Sequence, residues 1–208
     1  WDPADEQARR AGRFADVVVS IDPGVRNCGI TFLDFDGHSV GKVFDELLLQ
    51  DSDVEDYDRE IRAKLAHWGI PLTRVDFRID PKTGVARSQI DKQASVRSAL
   101  AALGIGCTLG ENAVEAGITQ VRGRRRYERL WVCRNCGLRR AEADDYVGKP
   151  RDDGVFEVLK QSDHLCDSLR YGCMARPFYP AYELAAPSRN LGAAPFRDVD
   201  AGPSRGQK

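Results

Sequence analysis

Hydrophobic positions in the first 50 residues follow the pattern of three successive strands. Residues 16–21 (DVVVSI) form a β-branched run that is typical of a buried strand. Residues 29–35 (GITFLDF) and 40–50 (VGKVFDELLLQ) form two further runs, and Gly37-His38 between them suits a hairpin connection. The pattern predicts that the chain opens with a three-stranded antiparallel meander.

Beyond residue 50 the pattern changes to helices that alternate with strands. In residues 54–68, four large apolar side chains recur at helical spacing, and Asp53 before them suits an N-cap. Residues 74–80 (RVDFRID) alternate between apolar and polar, as in a strand with one buried face. The other predicted elements are helices at 92–103, 112–127 and 161–176, strands at 105–109 and 129–133, a helix or turn at 134–146, and an exposed hairpin or loop at 148–160.

This order of elements predicts an α/β fold. A meander followed by strands that alternate with helices gives a mixed sheet of the five-stranded type, antiparallel and then parallel, flanked by helices. A chain of 208 residues suits one domain. We predict a flexible N-terminal arm (1–15), the folded domain (16–176) and a C-terminal tail with little structure (177–208). The first residue is Trp1 rather than Met, which we interpret as the mark of a processed or cloned fragment; an N-terminal partner domain that is missing from it would be compatible with this interpretation.

Composition narrows the functional classes. No run approaches the roughly 20 apolar residues of a membrane span, so we expect no membrane partner. The six cysteines, in a chain without a signal peptide, are interpreted as reduced thiols in a cytosolic compartment. Cys133-x-x-Cys136 lacks two further ligands at complementary spacing, so we expect no structural zinc. GHSVGKV (37–43) has too few residues between its glycines for a phosphate loop, so no ATP site is expected.

Carboxylates at the ends of predicted elements carry the candidate chemistry. Asp22 closes the first strand, Asp80 closes the fourth, and Asp163 and Asp167 are four residues apart on one predicted helix. Clustered carboxylates repel each other unless a cation joins them, and Mg²⁺ prefers such oxygen ligands together with water and phosphate. Two Mg²⁺ or Mn²⁺ ions about 4 Å apart would suit phosphodiester cleavage. His164 lies between the two helical acids.

These motifs resemble a known family. DHLCDSLRYG (163–172), IDPG after the first strand, IDPKTG after the fourth, and the segment 112–137 are similar to the C-terminal nuclease domain of phage terminase large subunits. The resemblance implies an RNase H-like fold in which Asp22 bridges both metals, Asp80 holds one, and the Asp163/Asp167 helix holds the other. It implies that His164 orients a ligand or the attacking water. It further implies a terminase ATPase domain, a small terminase subunit and a portal as partners, and the host cell cytoplasm as location.

Arginines are concentrated between residues 121 and 140, where the sequence has eight arginines and a single acidic residue, Glu128. Tyr127 and Trp131 are interleaved with them, which favours contact with the phosphates of double-stranded DNA over a merely solvated face. Since phosphates carry no sequence information, such contacts predict little sequence specificity. The predicted DNA-binding residues are Arg122, Arg124, Arg125, Arg126, Arg129, Arg134, Lys149 and Arg151.

Three other interpretations compete with a terminase nuclease. A RuvC-type Holliday-junction resolvase also opens with a strand that ends in IDPG, but it predicts a Glu where this chain has Asp80. An actin-like sugar kinase or ATPase needs a second phosphate-binding hairpin and a larger chain. The third alternative is a catalytically silent DNA-binding module of RNase H-like fold, in which the acids are surface residues.

Overall fold

The computed structural model describes residues 14–24, 26–36, 40–82, 95–138, 148–150, 156–158 and 163–180. Its strands are β1 (Val17–Pro23), β2 (Asn27–Asp36), β3 (Val40–Gln50), β4 (Val75–Ile79), β5 (Cys107–Leu109), β6 (Leu130–Val132), β7 (Gly148–Pro150) and β8 (Phe156–Val158). Its helices are α1 (Val54–His67), α2 (Val96–Ala102), α3 (Val114–Arg126) and α4 (His164–Ala175), with a 3₁₀ turn at Leu72–Arg74.

The predicted α/β fold is confirmed, with six strands in the main sheet in the order β5-β4-β1-β2-β3-β6. The meander of β1, β2 and β3 is antiparallel, whereas β4 pairs with β1, β5 with β4, and β6 with β3 in parallel. The sheet has six strands rather than the five of the predicted type, and its two edge strands, β5 and β6, are three residues long each. A separate hairpin pairs β7 with β8.

Strand direction defines two ends of the main sheet. β1, β3, β4, β5 and β6 all run the same way, and only β2 is reversed. We call the end where β1 finishes, at Pro23, the carboxyl end of the sheet. The end where β1 begins, at Val17, is the amino end. These two ends are the reference points for every functional side chain of the molecule.

Helices cover both faces of the sheet, and each face has its own hydrophobic core. One core joins the sheet to α1 and α2 through Ile61, Leu65 and Leu100. The other joins it to α4 through Val18, Leu33, Leu169 and Cys173, among others. Every residue of β1 is buried, as its continuous β-branched run predicts for a strand covered on both faces.

The folded region extends slightly beyond the predicted boundaries. Phe14 is buried against Phe44 and Trp68, and Phe178 is buried against Tyr127. Domain limits at 16 and 176 therefore leave out two core aromatic side chains. Of the predicted arm and tail, residues 1–13 and 181–208 lie outside the described residues. Within the part of the chain that is described, no helix has the length and apolar character required to cross a membrane.

Candidate active site at the carboxyl end of the sheet

Two of the predicted acids lie side by side where adjacent parallel strands end. Ile21 of β1 is in register with Ile79 of β4, and the Asp80 amide donates a hydrogen bond to the Ile21 carbonyl at 3.0 Å. Asp22 and Asp80 follow these paired residues, and both are buried, at 9% and 4% exposure. The parallel register therefore brings two carboxylates, 58 positions apart in sequence, to one end of the sheet.

The start of α4 brings the other predicted residues to the same end. Asp163 occupies the N-cap position, and His164 and Asp167 lie in the first turn. His164 Nδ1 is 2.8 Å from Asp22 Oδ2. This close approach requires Gly29 on β2, because a Cβ there would overlap the backbone of His164. The sequence GITF thus provides the space in which α4 docks.

Tyr171 of α4 is hydrogen-bonded to Asp80. Its hydroxyl donates to Asp80 Oδ1 at 2.5 Å, and both residues are buried. A Cβ at Gly110, after β5, would meet the Tyr171 ring at 2.9 Å, so the glycine makes room for it. Burial is the main reason why the pKa of Tyr171 is raised, and the bond to Asp80 adds to the shift. Tyr171 therefore stays protonated and acts as the donor.

Arg170 forms a similar contact with Asp167. Its Nε donates to Asp167 Oδ1 at 3.2 Å, and its guanidinium lies 4.4 Å from the centre of the Tyr171 ring. Arg170 is only 2% exposed, because its side chain packs against Gly117 of α3, where a Cβ would overlap it. The Arg170 guanidinium therefore contacts Asp167 directly, and it lies next to Tyr171, which is hydrogen-bonded to Asp80.

Electrostatics single out Asp22 among the acids. Burial raises the pKa of Asp22 above its ordinary value of 3.8, and the charges of Asp167 and Asp80 raise it further, while the contact with His164 lowers it. The influence of Asp167 and Asp80 places all three carboxylates within electrostatic range. A site of this kind disfavours its own ionised state unless a cation is present.

The oxygen-rich donor set suits a hard divalent cation in its chemistry. Asp22, Asp80 and Asp167 are partly or fully buried carboxylates that repel one another. In the described part of the chain, no group of three or more His, Cys, Asp or Glu side chains is already gathered in metal-binding geometry. The side chains are instead paired with His164, Tyr171 and Arg170. The residues thus fit a metal by type and location, and small side-chain movements would be needed to close a coordination shell.

The predicted basic residues lie elsewhere. Because α3 follows β5 and leads into β6, it starts near the carboxyl end and finishes at the amino end of the sheet. Arg122, Arg125 and Arg126 are exposed near its finish. Arg129 is half-buried just before β6, and its carbonyl accepts a hydrogen bond from the amide of Gly41, at the start of β3. Arg134 is exposed after β6.

Arg124 does not lie on the surface, so its predicted role in DNA binding is wrong. It is fully buried, 5.0 Å from the Phe35 ring centre and 5.5 Å from that of Phe178, and it donates to the Arg176 carbonyl. A count of charges along the sequence cannot separate this structural arginine from its exposed neighbours. Lys149 lies in β7, and Arg151 falls outside the described residues.

Two contributors to the site were missed from the sequence, although the motif contained them. Arg170 and Tyr171 lie three and four positions after Asp167, on the same turn of helix, and this spacing was the available signal. Two exposed cations near the carboxyl end, Arg26 and Lys82, were also missed. Cys133 and Cys136 are buried in the core, with the Cys136 sulfur directed at the Val43 carbonyl.

Solved structures provide a comparison for this arrangement. No family model and no curated relative matches the chain. The large terminase of the thermophilic bacteriophage D6E superposes with a TM-score of 0.64 at 18% identity, over 76% of this chain and 39% of the phage protein. The P22 large terminase nuclease domain gives 0.56 at 20% identity, over 77% of this chain and 81% of that domain.

A third similar structure is the nuclease domain of the SPP1 large terminase with bound Mn. It has a TM-score of 0.56 at 12% identity, over 77% of this chain and 86% of that domain. The chain spans about two fifths of the D6E protein but most of the isolated nuclease domains. It therefore has the fold of a phage large-terminase nuclease domain, of RNase H-like architecture, as predicted.

Proposed function

We propose that this chain is a metal-dependent endonuclease domain that cleaves double-stranded DNA with little sequence specificity. In this proposal it is the nuclease part of a viral DNA-packaging terminase, which cuts the concatemeric genome when packaging starts and ends. It would act in the host cell cytoplasm. The fold shared with terminase nuclease domains supports the assignment, but the chemistry of the site supports it independently.

One observation carries the proposal: carboxylates from β1, from the residue after β4 and from α4 lie within electrostatic range of one another at the carboxyl end of the sheet. Asp22 and Asp80 follow residues that are paired in register, and Asp167 lies close enough to raise the pKa of Asp22. Like charges in one partly buried site repel one another, and a divalent cation offsets that repulsion. Arg170 donates to Asp167, His164 contacts Asp22, and Tyr171 donates to Asp80.

We assign the metal ligands to Asp22, Asp80, Asp163 and Asp167. A divalent ion bound there would act as a Lewis acid and lower the pKa of a bound water, and two ions would serve both the attacking and the leaving oxygen. The Mn in the SPP1 domain supports a divalent cation for this chain, and we propose Mg²⁺ or Mn²⁺ as the physiological ion.

The protein side chains orient the acids. His164 holds one Asp22 oxygen at 2.8 Å and thereby restricts the orientation of that carboxylate. Tyr171 holds one Asp80 oxygen in the same way. Each carboxylate is thus presented to the site in a fixed direction, which reduces the cost of organising it around a cation and a phosphate. His164 also lies where it could orient the attacking water.

The same proposal specifies the partners. Double-stranded DNA is the substrate. A terminase ATPase domain would supply the motor, since the D6E large terminase is more than twice the length matched here. A small terminase subunit and a portal complete the proposed set.

Plasmid cleavage tests the function. We expect the purified protein to nick or linearise supercoiled plasmid with Mg²⁺ or Mn²⁺, and not with EDTA. Asp22→Asn and Asp80→Asn should each lower the rate by about a hundredfold or more. Asp36→Asn is the matched control, since Asp36 ends β2 at the amino end of the sheet and contacts Lys42 there.

Binding of Mn²⁺ provides a second measurement. The ion should raise the melting temperature of the wild type and of Asp36→Asn, but not of Asp22→Asn. Full cleavage by Asp22→Asn would refute the active-site assignment. Paired symmetric nicks in a four-way junction, in preference to plasmid, would instead favour a resolvase. Binding of DNA without any cleavage would favour the silent module.

A further inference from the structure

Three arginines form a compact cationic surface at the amino end of the sheet. Arg122, Arg125 and Arg126 are all exposed in the last turns of α3. Tyr127 and Trp131 beside them are 44% and 38% exposed. We call these three arginines the α3 arginine surface. Arginine with exposed aromatic side chains is the composition expected for contact with nucleic-acid phosphates and sugars.

The α3 arginine surface is held firmly in position. Beneath it, Arg124 stacks on Phe35 and Phe178 and donates to the Arg176 carbonyl. Arg176 in turn forms ion pairs with Asp16 and Asp76, at the starts of β1 and β4. A surface anchored to the sheet through these contacts retains a fixed distance from the catalytic end.

The length of β1 gives the component of that distance along the strands. Phe35, which contacts Arg124, is paired with the start of β1, because its amide donates a hydrogen bond to the Asp16 carbonyl. From Asp16 to Asp22 the chain advances six residues, or about 20 Å at roughly 3.3 Å per residue. Duplex DNA rises about 3.4 Å per base pair, so the separation corresponds to about six base pairs.

Charge changes sign along the exposed stripe of α3. Glu115, Thr119, Arg122 and Arg126 follow one another at helical spacing, and all four are exposed. The acid lies towards the carboxyl end of the sheet, and the arginines lie at the amino end. A polyanion is therefore attracted to α3 only at the end remote from the active site.

From these observations we propose that the α3 arginine surface is a second anchor for duplex DNA, about six base pairs from the bond that is cut. The inference rests on the proposed nuclease function. A duplex in the active site reaches the anchor only if it extends far enough beyond the cut. An anchor at this position would make the rate of cleavage depend on the length of the duplex, while the chemistry of the active site would be unchanged.

Hairpin duplexes of two lengths test the anchor, with stems of about 6 and about 20 base pairs. With Mn²⁺ and excess enzyme, the wild type should cut the long stem on the order of tenfold more efficiently than the short one. In Arg122→Gln/Arg126→Gln, kcat/KM for the long stem should fall by a similar factor, while the short stem is cut as before.

A matched double variant controls for net charge. Arg59→Gln/Arg97→Gln removes two exposed arginines from α1 and α2, on the opposite face of the sheet, and should retain the preference for the long stem. Without metal, the slope of log binding constant against log salt for the long stem should decrease in magnitude by about 2 in Arg122→Gln/Arg126→Gln, since two phosphate contacts are lost.

The outcomes separate the two proposals. Equal losses on both stems, or no loss on either, would overturn the remote anchor, and unchanged DNA binding would point to an acidic protein as the partner of this surface. If the wild type cuts neither stem, the nuclease function fails, and the salt slopes alone decide whether the surface binds DNA.

Discussion

At the scale of single residues, the ionised carboxylate of Asp22 lowers the free energy of unfolding. Burial, together with the neighbouring charges of Asp167 and Asp80, raises its pKa in the folded chain, and the contact with His164 offsets only part of the shift. The unfolded chain releases this proton at a lower pH than the folded chain. Ionisation of Asp22 therefore costs stability as the pH rises above its ordinary pKa of 3.8.

Asp22→Asn should therefore be more stable than the wild type at pH 7. The advantage should shrink as the pH falls through the raised pKa of the folded chain and disappear below 3.8, where the wild-type carboxyl is protonated in both states. Urea unfolding across this pH range, without divalent metal, measures the difference. A variant that is less stable than the wild type at pH 7 would contradict the electrostatic interpretation.

Asp76→Asn is the matched control, with the opposite sign. Although burial opposes it, hydrogen bonds from Arg78 and Arg176 hold the pKa of Asp76 below 3.8. Its ionised form stabilises the fold, so Asp76→Asn should lose stability at pH 7, and the loss should disappear as the pH falls through the lowered pKa. The buried Asp22 and the half-buried Asp76, on adjacent strands, thus give opposite pH profiles.

Sequence pattern predicted that Asp22 and Asp80 lie at strand ends, which the structure shows, but it did not predict the side chains that contact them. Asp22 and Asp80 could be identified because each ends an apolar strand, and strand ends are where parallel sheets place functional groups. Tyr171 and Arg170 could not, because their roles depend on how α4 is rotated over the sheet. Arg124 was misassigned for the same reason, since burial is a property of packing rather than of charge.

At the scale of elements, α3 ends in an unfavourable backbone conformation. Glu128 has φ of 55°, in the left-handed region, and its amide donates to the Arg125 carbonyl at 3.2 Å. The next amide, of Arg129, donates to the Arg124 carbonyl at 2.6 Å. This closure is one that glycine normally provides, because a Cβ in this region costs about 1 kcal/mol.

Glu128→Gly should accordingly raise the free energy of unfolding by about 1 kcal/mol. Glu128→Ala retains the Cβ and removes only the carboxylate, so it should leave stability near the wild-type value. Thermal unfolding of the full chain measures both variants. Equal stabilisation by Ala and Gly would show that the charge of Glu128, close to the α3 arginines, is responsible instead.

Elements were predicted well where the local signal was long. The meander and α1 agree with the predicted ranges to within two residues, and the capping box at Asp53 accounts for the sharp start of α1. α2 and α4 begin at Val96 and His164, later than the predicted 92 and 161. β5 and β6 join the sheet over three residues each, and their pairing depends on partners distant in sequence.

At the scale of the whole molecule, topology separates charges that the sequence had placed together. The arginine-rich segment at 121–140 and the acids at 163 and 167 are close together along the chain. In the fold, α3 connects β5 to β6 at opposite sides of the sheet and carries its arginines to the amino end. Only the strand order reveals this, and no local pattern encodes it.

The same amino end is closed by the last described residues of the chain. Phe178 is 5% exposed, its amide donates to Gln120 Oε1 at 2.7 Å, and its ring lies against Arg124 and Tyr127. Tyr179, the next residue, is 59% exposed. Two adjacent aromatic residues thus differ almost completely in burial.

Phe178→Ala should therefore lower the free energy of unfolding by about 3 kcal/mol, because it empties a packed position and removes the ring over which Arg124 lies. Tyr179→Ala should change it by less than about 0.5 kcal/mol, since exposed positions contribute little. Denaturant unfolding of the full-length variants measures both. If the two substitutions had equal effects, residues 177–180 would not be docked on the domain, and the support of the α3 arginine surface would be lost with them.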